Sequence, residues 1–264
     1  NKTMIALFDL DRLIYDALYR IISRAEARTL ITEMGVKKAR LEVIELAYNR
    51  LEQMITQVLT EVEYCTKSID QTFYYITNNV APIRNRVDPN YKKHRKKNKW
   101  ANLFRNRLIQ DTSFDIVYDL TWEADDLIYD KAARLRERGE DFIVISKDKD
   151  LKQIEGLFFD YYKLDTGKTD DRFNKIKEYR GLSVISKEDA EYLLAKQMLM
   201  GDAVDNIKGV PKIGEITAEK ILKGKKGHAL LVAVYRQYRK FYKHPIIAKM
   251  EFKKTYQLVK LGKK

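Results

Sequence analysis

A single cysteine, Cys65, stands in 264 residues, so no intramolecular disulfide can form and no zinc site can be built on thiolates. Histidine is nearly as scarce: His94, His228 and His244 are scattered, with none of the close spacing of a metal-binding pair. No apolar run approaches the roughly eighteen residues of a membrane span, and the N-terminus carries no signal-peptide pattern. These absences predict a cytoplasmic protein in a reducing compartment, with no membrane partner. Neither a low-complexity linker nor an internal repeat is visible, and an apolar content of 45% is ample for a core.

What the chain has in excess is positive charge, a formal +13, and it is unevenly placed. Residues 84–107 hold ten Lys or Arg against Asp88 alone, and residues 220–264 hold fourteen against Glu251 alone. These segments carry net +9 and +13, so everything else sums to −9. A lysine-rich terminal segment can serve solubility only. An internal basic block beside an acidic body instead suits a phosphate backbone gripped by its flanks over a metal-loaded centre.

Residues 4–8 form an unbroken apolar run ending at Asp9, the pattern of a parallel strand buried on both faces. Further runs at 73–76, 114–118, 142–145 and 157–162 read as strands. Leu41, Ile44, Tyr48, Leu51, Ile55, Val58 and Leu59 recur at helical spacing and predict a long amphipathic helix over about 37–63. A second helix runs over about 122–138 and stops at Gly139. Alternating strands and helices predict an α/β fold over residues 1–185, a mostly parallel central sheet flanked by helices. Residues 186–264 read as helical, without a strand.

Eight carboxylates fall in four short clusters: Asp9; Glu123, Asp125 and Asp126; Asp148 and Asp150; Asp202 and Asp205. In an open parallel sheet, ligands bind beyond the carboxyl ends of the strands. Asp9 follows the first strand directly, the Glu123 group follows the third by one short turn, and Asp148 and Asp150 follow the fourth. Three clusters thus project from one edge. Any one of them can be read as a helix-dipole partner, and Asp11 is set aside as the cap of the helix that begins there. Convergence of all of them by accident is a far weaker account. So many carboxylates cannot all ionise together without cations, and an oxygen-only set suits magnesium or manganese. In outline this is a metal-dependent nuclease.

Leu7-Phe8-Asp9, Trp122-Glu123-Ala124-Asp125-Asp126, Ser146-Lys147-Asp148-Lys149-Asp150-Leu151 and the string from Met200 to Gly214, G-D-x-x-D-N-I-x-G-V-P-x-I-G from Gly201, carry a further signal. In order and spacing they resemble the signatures of the 5′-nuclease, or flap endonuclease, superfamily, from residue 5 to about 222. The segment from Val87 to Lys92 looks most like the small phage 5′–3′ exonucleases of the T7 gene 6 type. No clear sliding-clamp-binding motif is seen and no polymerase domain follows. The resemblance implies two Mg2+, with Mn2+ able to substitute: Asp9, Glu123 and Asp125 on the first, Asp148, Asp150 and Asp202 on the second, Asp126 and Asp205 between or behind. The position after the second strand, usually acidic, falls at Asn78, a neutral and weaker ligand. The implied activity is hydrolysis of DNA from or near a free 5′ end, leaving 5′-phosphates. It would be a 5′–3′ exonuclease with flap endonuclease or RNase H-like activity on RNA–DNA hybrids, acting in phage replication or DNA degradation in the host cytoplasm. The alternative is a DNA-binding member weakened by Asn78. A PIN-like ribonuclease on a related sheet is disfavoured by the helix-hairpin-helix described next.

The basic segment, about 84–112, corresponds in the family to a helical arch over the active site, with Lys92 and Arg95 matching residues that engage the scissile phosphate. Lys92, Lys93, Arg95, Lys96, Lys97, Lys99, Arg105 and Arg107 lie there with Tyr91, Trp100 and Phe104. That mixture suits phosphate tracking and base stacking on single strands; a solvated lysine face is the plainer alternative. Gly209, Val210, Lys212 and Gly214 belong to a turn between helical patterns, where glycines predict close backbone approach. The helix after it, near Glu215, can hold a phosphate at its N-terminus, with Lys220 beyond. In the family this is a helix-hairpin-helix, here at about 189–223, often with a bound K+.

Overall fold

The first apolar run is the hub of the sheet. In the computed structural model, which describes residues 4–19, 21–22, 24–78, 82–95, 98–111, 113–161 and 181–263, strand β1 (Met4–Asp9) is hydrogen-bonded on both sides. Helix α1 (Asp11–Leu18) and the long α2 (Arg24–Cys65) lead to β2 (Ile69–Tyr75), which pairs parallel with β1. Then come the short α3 (Arg84–Val87), α4 (Lys99–Ile109), the two-residue β3 (Ile116–Val117) and α5 (Ala124–Glu137). The chain returns on the other side of β1 as β4 (Phe142–Ile145) and β5 (Gly156–Phe159), both in parallel register, before β6 (Leu182–Ile185) closes the edge antiparallel. The sheet order β3-β2-β1-β4-β5-β6 therefore places a topological switch point between β1 and β4, beyond whose carboxyl ends a crevice opens.

Alternation along β1 explains why its run must be wholly apolar. Ala6 and Phe8 enter one core with Ile143 and Ile145, under α1, α2 and α4. Leu7 enters the other with Val144, under α5 and α6 (Lys187–Met200). Successive side chains point to opposite faces, and both faces are covered. A third core joins α6 to α7 (Glu215–Leu222), α8 (His228–Tyr242) and α9 (Pro245–Val259).

Most expected elements are present with shifted ends. The long helix starts thirteen residues before its expected bound and is broken at Gly35, whose φ of 78° and ψ of 161° are not helical. Helix α5 ends before Gly139, whose φ of 67° suits the left-handed position that glycine fills at helix ends. Strand β6 was not anticipated. Nor were β7 (Gly201–Asp202) and β8 (Ile207–Lys208), an antiparallel pair that corrects the expectation of no strand after residue 186; two residues each are too few to show a period. Among the described residues no helix is long and apolar enough to cross a membrane.

The β7–β8 ladder exists because two glycines lie back to back. A Cβ on Gly209 would sit 2.4 Å from the Gly201 nitrogen and the Leu199 carbonyl oxygen. One on Gly201 would sit 2.3 Å from the Ile207 oxygen. The expected close approach holds at Gly209 but not at Gly214, where a Cβ would meet nothing within 4 Å. Gly214 instead occupies the residue before α7.

Candidate active site

Strand ends deliver most of the carboxylates to one place. Asp9 closes β1, and its two oxygens accept from the Asp11 amide (3.0 Å) and from Ser146 Oγ (2.6 Å) just past β4. Ser146 Oγ also accepts from the Asp148 amide (2.8 Å), so one fully buried hydroxyl ties the ends of β1 and β4 together. Asp148 in turn caps the 3-10 turn Lys149–Gln153 by accepting from the Asp150 amide (2.8 Å), which keeps both acids on the crevice side. Burial and the neighbouring Asp11 and Asp148 push Asp9 up to about 7. Burial, Asp148 and Asp202 push Asp150 up to about 7. Burial and then Asp148 and Asp9 hold Asp125 well above the usual carboxylate range, and burial raises Asp148 too. Asp9, Asp125, Asp148, Asp150, Asp202 and Asp205 are thus one electrostatic cluster.

Glu123 and Asp126 sit differently. Arg84, 5% exposed, grips both Asp126 oxygens at 2.6 and 2.7 Å and donates to Glu123 Oε2 at 2.7 Å. The Gly262 amide adds a bond to Asp126 Oδ1 (3.0 Å), so Asp126 is spent on structure behind the cluster. Glu123 also accepts from the Tyr91 hydroxyl (2.7 Å) and from the Lys92 ammonium. Burial opposes its charge, but Lys92 and Arg84 prevail and hold its carboxyl below the usual range. Lys92 has a left-handed φ of 53° and its amide donates to the Asp205 carbonyl (2.9 Å), which aims its side chain between Glu123 and Asp205. Arg95 pairs with Asp205 from the exposed side.

One sequence expectation changes at the end of β2. Asp11 does not cap α1, whose capping position is Leu10; its carboxylate accepts from the Thr77 amide (2.9 Å). Thr77 Oγ1 then accepts from the Ala124 amide (3.0 Å), so this residue joins β2 to the start of α5, while the half-buried Asn78 follows it. Arg84, Thr77 and Ser146 had no assigned role in the sequence. An arginine among arginines, a threonine and a serine carry no pattern that would select them.

The basic segment divides in two. Lys93, Arg95, Lys99 and Trp100 are exposed; Lys96 and Lys97 lie outside the described residues. Tyr91, expected to contact DNA, is 4% exposed because its ring packs with the α6–α9 core while its hydroxyl serves Glu123. Phe104, on the inner face of α4, is likewise buried in the core with α1 and α2, and Arg105 and Arg107 turn to Asp11 and to Glu45 and Asp111. In the hairpin, Lys212, Gly214 and Lys220 are exposed. Val210, also expected to contact DNA, is 5% exposed and its amide donates to the Leu199 oxygen (2.8 Å).

Among the described residues, no three Asp, Glu, His or Cys side chains close on one point as a metal cage. Glu123 and Asp205 are turned onto Lys92 and Arg95, and Asp126 onto Arg84. The donor chemistry nonetheless fits a hard divalent cation. Every candidate ligand is an oxygen, and the carboxylates left facing one another carry a charge excess that a cation would relieve.

No protein-family model matches the chain. It is 39% identical over 109 residues to DNA polymerase I of Bacillus caldotenax, covering 40% of this chain and 12% of that protein. It is 35% identical over 118 residues to a 5′–3′ exonuclease of Buchnera aphidicola subsp. Schizaphis graminum, covering 44% of this chain and 38% of that one. The chain thus spans well under half the length of these relatives. In fold it is similar to the T5 D15 protein co-crystallised with metal ions, at 14% identity and a TM-score of 0.56 over 97% of this chain and 89% of the other.

Proposed function

We propose that the chain is a divalent-metal 5′ nuclease that hydrolyses DNA phosphodiesters at or near a free 5′ end. One observation carries this reading: carboxylates from separate chain segments meet beyond the β1–β4 switch point, with Lys92 and Arg95 directly over them. The names and fold of its relatives support it. In this reading Asp9, Glu123 and Asp125 would hold one cation and Asp148, Asp150 and Asp202 a second, with Asn78 as a weak additional donor. Such a pair would activate water for attack and stabilise the leaving 3′ oxygen of an in-line displacement. Mg2+ is the expected ion.

The chain's own groups orient the substrate. Lys92 can turn from Glu123 to a non-bridging phosphate oxygen without leaving its left-handed backbone position, and Arg95 can do so from the rim. Residues 1–185 would carry the chemistry. Residues 186–264 would hold duplex through the hairpin at about 189–223, where Lys212, Gly214 and Lys220 face outward, with K+ as a further ligand of that turn. Substrate choice then rests on shape and a free 5′ end, because among the described residues no element is placed to read base edges. RNA of RNA–DNA hybrids and a phage replication role belong to the same proposal.

The test is a 5′-labelled duplex bearing a single-stranded flap, incubated with Mg2+, Mn2+ or EDTA. Metal-dependent release of mononucleotides or flap-length products with 5′-phosphates is expected. Tight binding with no cutting in either metal would reject the enzyme in favour of a binding protein weakened at Asn78. Lys92→Ala should lower single-turnover cleavage about a hundredfold, the usual scale for one preorganised electrostatic group, and shift duplex affinity less than about threefold, as one phosphate contact among many. Equal losses in cleavage and binding would reject the role given to Lys92.

A further inference from the structure

Past the end of α9, residues 260–263 run as a strap across the back of the carboxylate cluster, and their backbone groups, with the last carbonyls of α9, are held by side chains from both of its halves. On one side, Arg84 donates to the Leu258 oxygen (2.8 Å) and the Lys260 oxygen (3.4 Å) while it grips Glu123 and Asp126. The Gly262 amide donates to Asp126, and the Lys263 amide to Asp130 (3.1 Å). On the other side, Gln153, 6% exposed, donates to the Val259 oxygen (2.8 Å) and accepts from the Leu261 amide (3.3 Å). The second hydrogen of the same Gln153 amide goes to Gln197 Oε1 (2.6 Å), and Gln197 Nε2 donates to Asp150 Oδ1 (2.8 Å). Each amide both donates and accepts in this relay, so neither can be reversed without losing bonds.

The strap is fixed as firmly as the groups it holds. Leu261 is 6% exposed in the core beneath α5 and α6. Gly262 has a φ of 99°, and a Cβ there would lie 2.7 Å from the Tyr129 ring. The Lys260 ammonium lies 3.6 Å from the centre of that ring.

We propose that the strap is a positioning element for the metal site, which through Arg84 and through Gln153–Gln197 holds Glu123 and Asp150 at a fixed separation. The inference rests on the metal-nuclease reading and extends it to residues that touch neither cation nor DNA. A group bonded to a ligand's free oxygen fixes that ligand's orientation, and losing such a group commonly weakens metal binding about ten- to a hundredfold.

Mn2+ uptake by calorimetry on the full chain tests this, with Gln197→Leu to cut the relay and Gly262→Ala to displace the strap. Each is expected to raise the Mn2+ dissociation constant about tenfold or more. Gln197→Leu should melt in EDTA within about 2 °C of wild type, as a half-buried and nearly isosteric change, and should bind duplex in EDTA with unchanged affinity. Wild-type Mn2+ affinity in Gln197→Leu would overturn the strap alone, as would a loss of affinity that only tracks a fall in melting temperature. A wild-type chain that takes up no Mn2+ would overturn the nuclease reading, and the strap proposal with it.

Discussion

Replacing Arg84 with methionine is expected to lower the stability of the chain by about 3–5 kcal/mol, the scale for removing one partner from a buried ion group. The loss comes from what would be left behind. Asp126 is fully buried and Glu123 is 4% exposed. Without Arg84, among the described residues Asp126 keeps the Gly262 amide, while Glu123 keeps Tyr91 and Lys92. Two carbonyls, those of Leu258 and Lys260, lose their donor as well. Arg84→Lys should recover little, because an ammonium cannot span both Asp126 oxygens and reach Glu123 at once as a planar guanidinium does. Urea or thermal unfolding measures this, with a fall in melting temperature of about 10 °C for a chain of this length. A loss below about 1 kcal/mol would mean that the two carboxylates find other partners, and the picture of Arg84 as their shared counter-ion would be wrong.

The difference between Arg84 and the acids shows what was legible before the fold was known. Asp9, Glu123, Asp125, Asp148 and Asp150 announce themselves because each follows a strand or opens a helix, and strand ends in a parallel sheet share an edge. Hydrophobic runs give strand identity, so the parallel sheet and the helices α2 and α5 were readable from pattern alone. Direction of charge was harder. Asp126 and Asp125 are adjacent in sequence, yet one helical step turns the first onto Arg84 and leaves the second facing Asp148 and Asp9. Tyr91 and Phe104 looked like stacking rings within a basic run, but tertiary burial claimed both. The partners of the acids, Thr77, Ser146, Gln153 and Gln197, are ordinary polar residues whose value depends on a neighbour up to 137 residues away. No local spacing encodes such a pair.

Asp150→Asn is expected to move stability and activity in opposite directions, which a purely structural acid would not do. Burial, Asp148 and Asp202 push the Asp150 carboxyl from 3.8 up to about 7. Between those values the folded chain binds a proton that the unfolded chain does not, so stability falls as pH rises across that window, and the penalty is complete above it. Asp9, also pushed up to about 7, acts with the same sign. Discounted for the partial exposure of Asp150, its share is on the order of 2 kcal/mol. In EDTA near pH 8 the asparagine variant should therefore melt about 5 °C above wild type. The difference should shrink as pH falls through that window and vanish only below the unfolded value of 3.8, where the acid is neutral in both states. The amide oxygen can still accept from Gln197, so the relay to the strap survives the change. Cleavage in Mg2+ should nevertheless drop at least about a hundredfold, because a charged ligand has been lost, and added Mg2+ should raise the melting temperature of wild type more than that of the variant. If Asp150→Asn is destabilising in EDTA at high pH, the crowding of carboxylates inferred at the β1–β4 crevice is not a store of electrostatic strain, and the case for a cation there weakens with it.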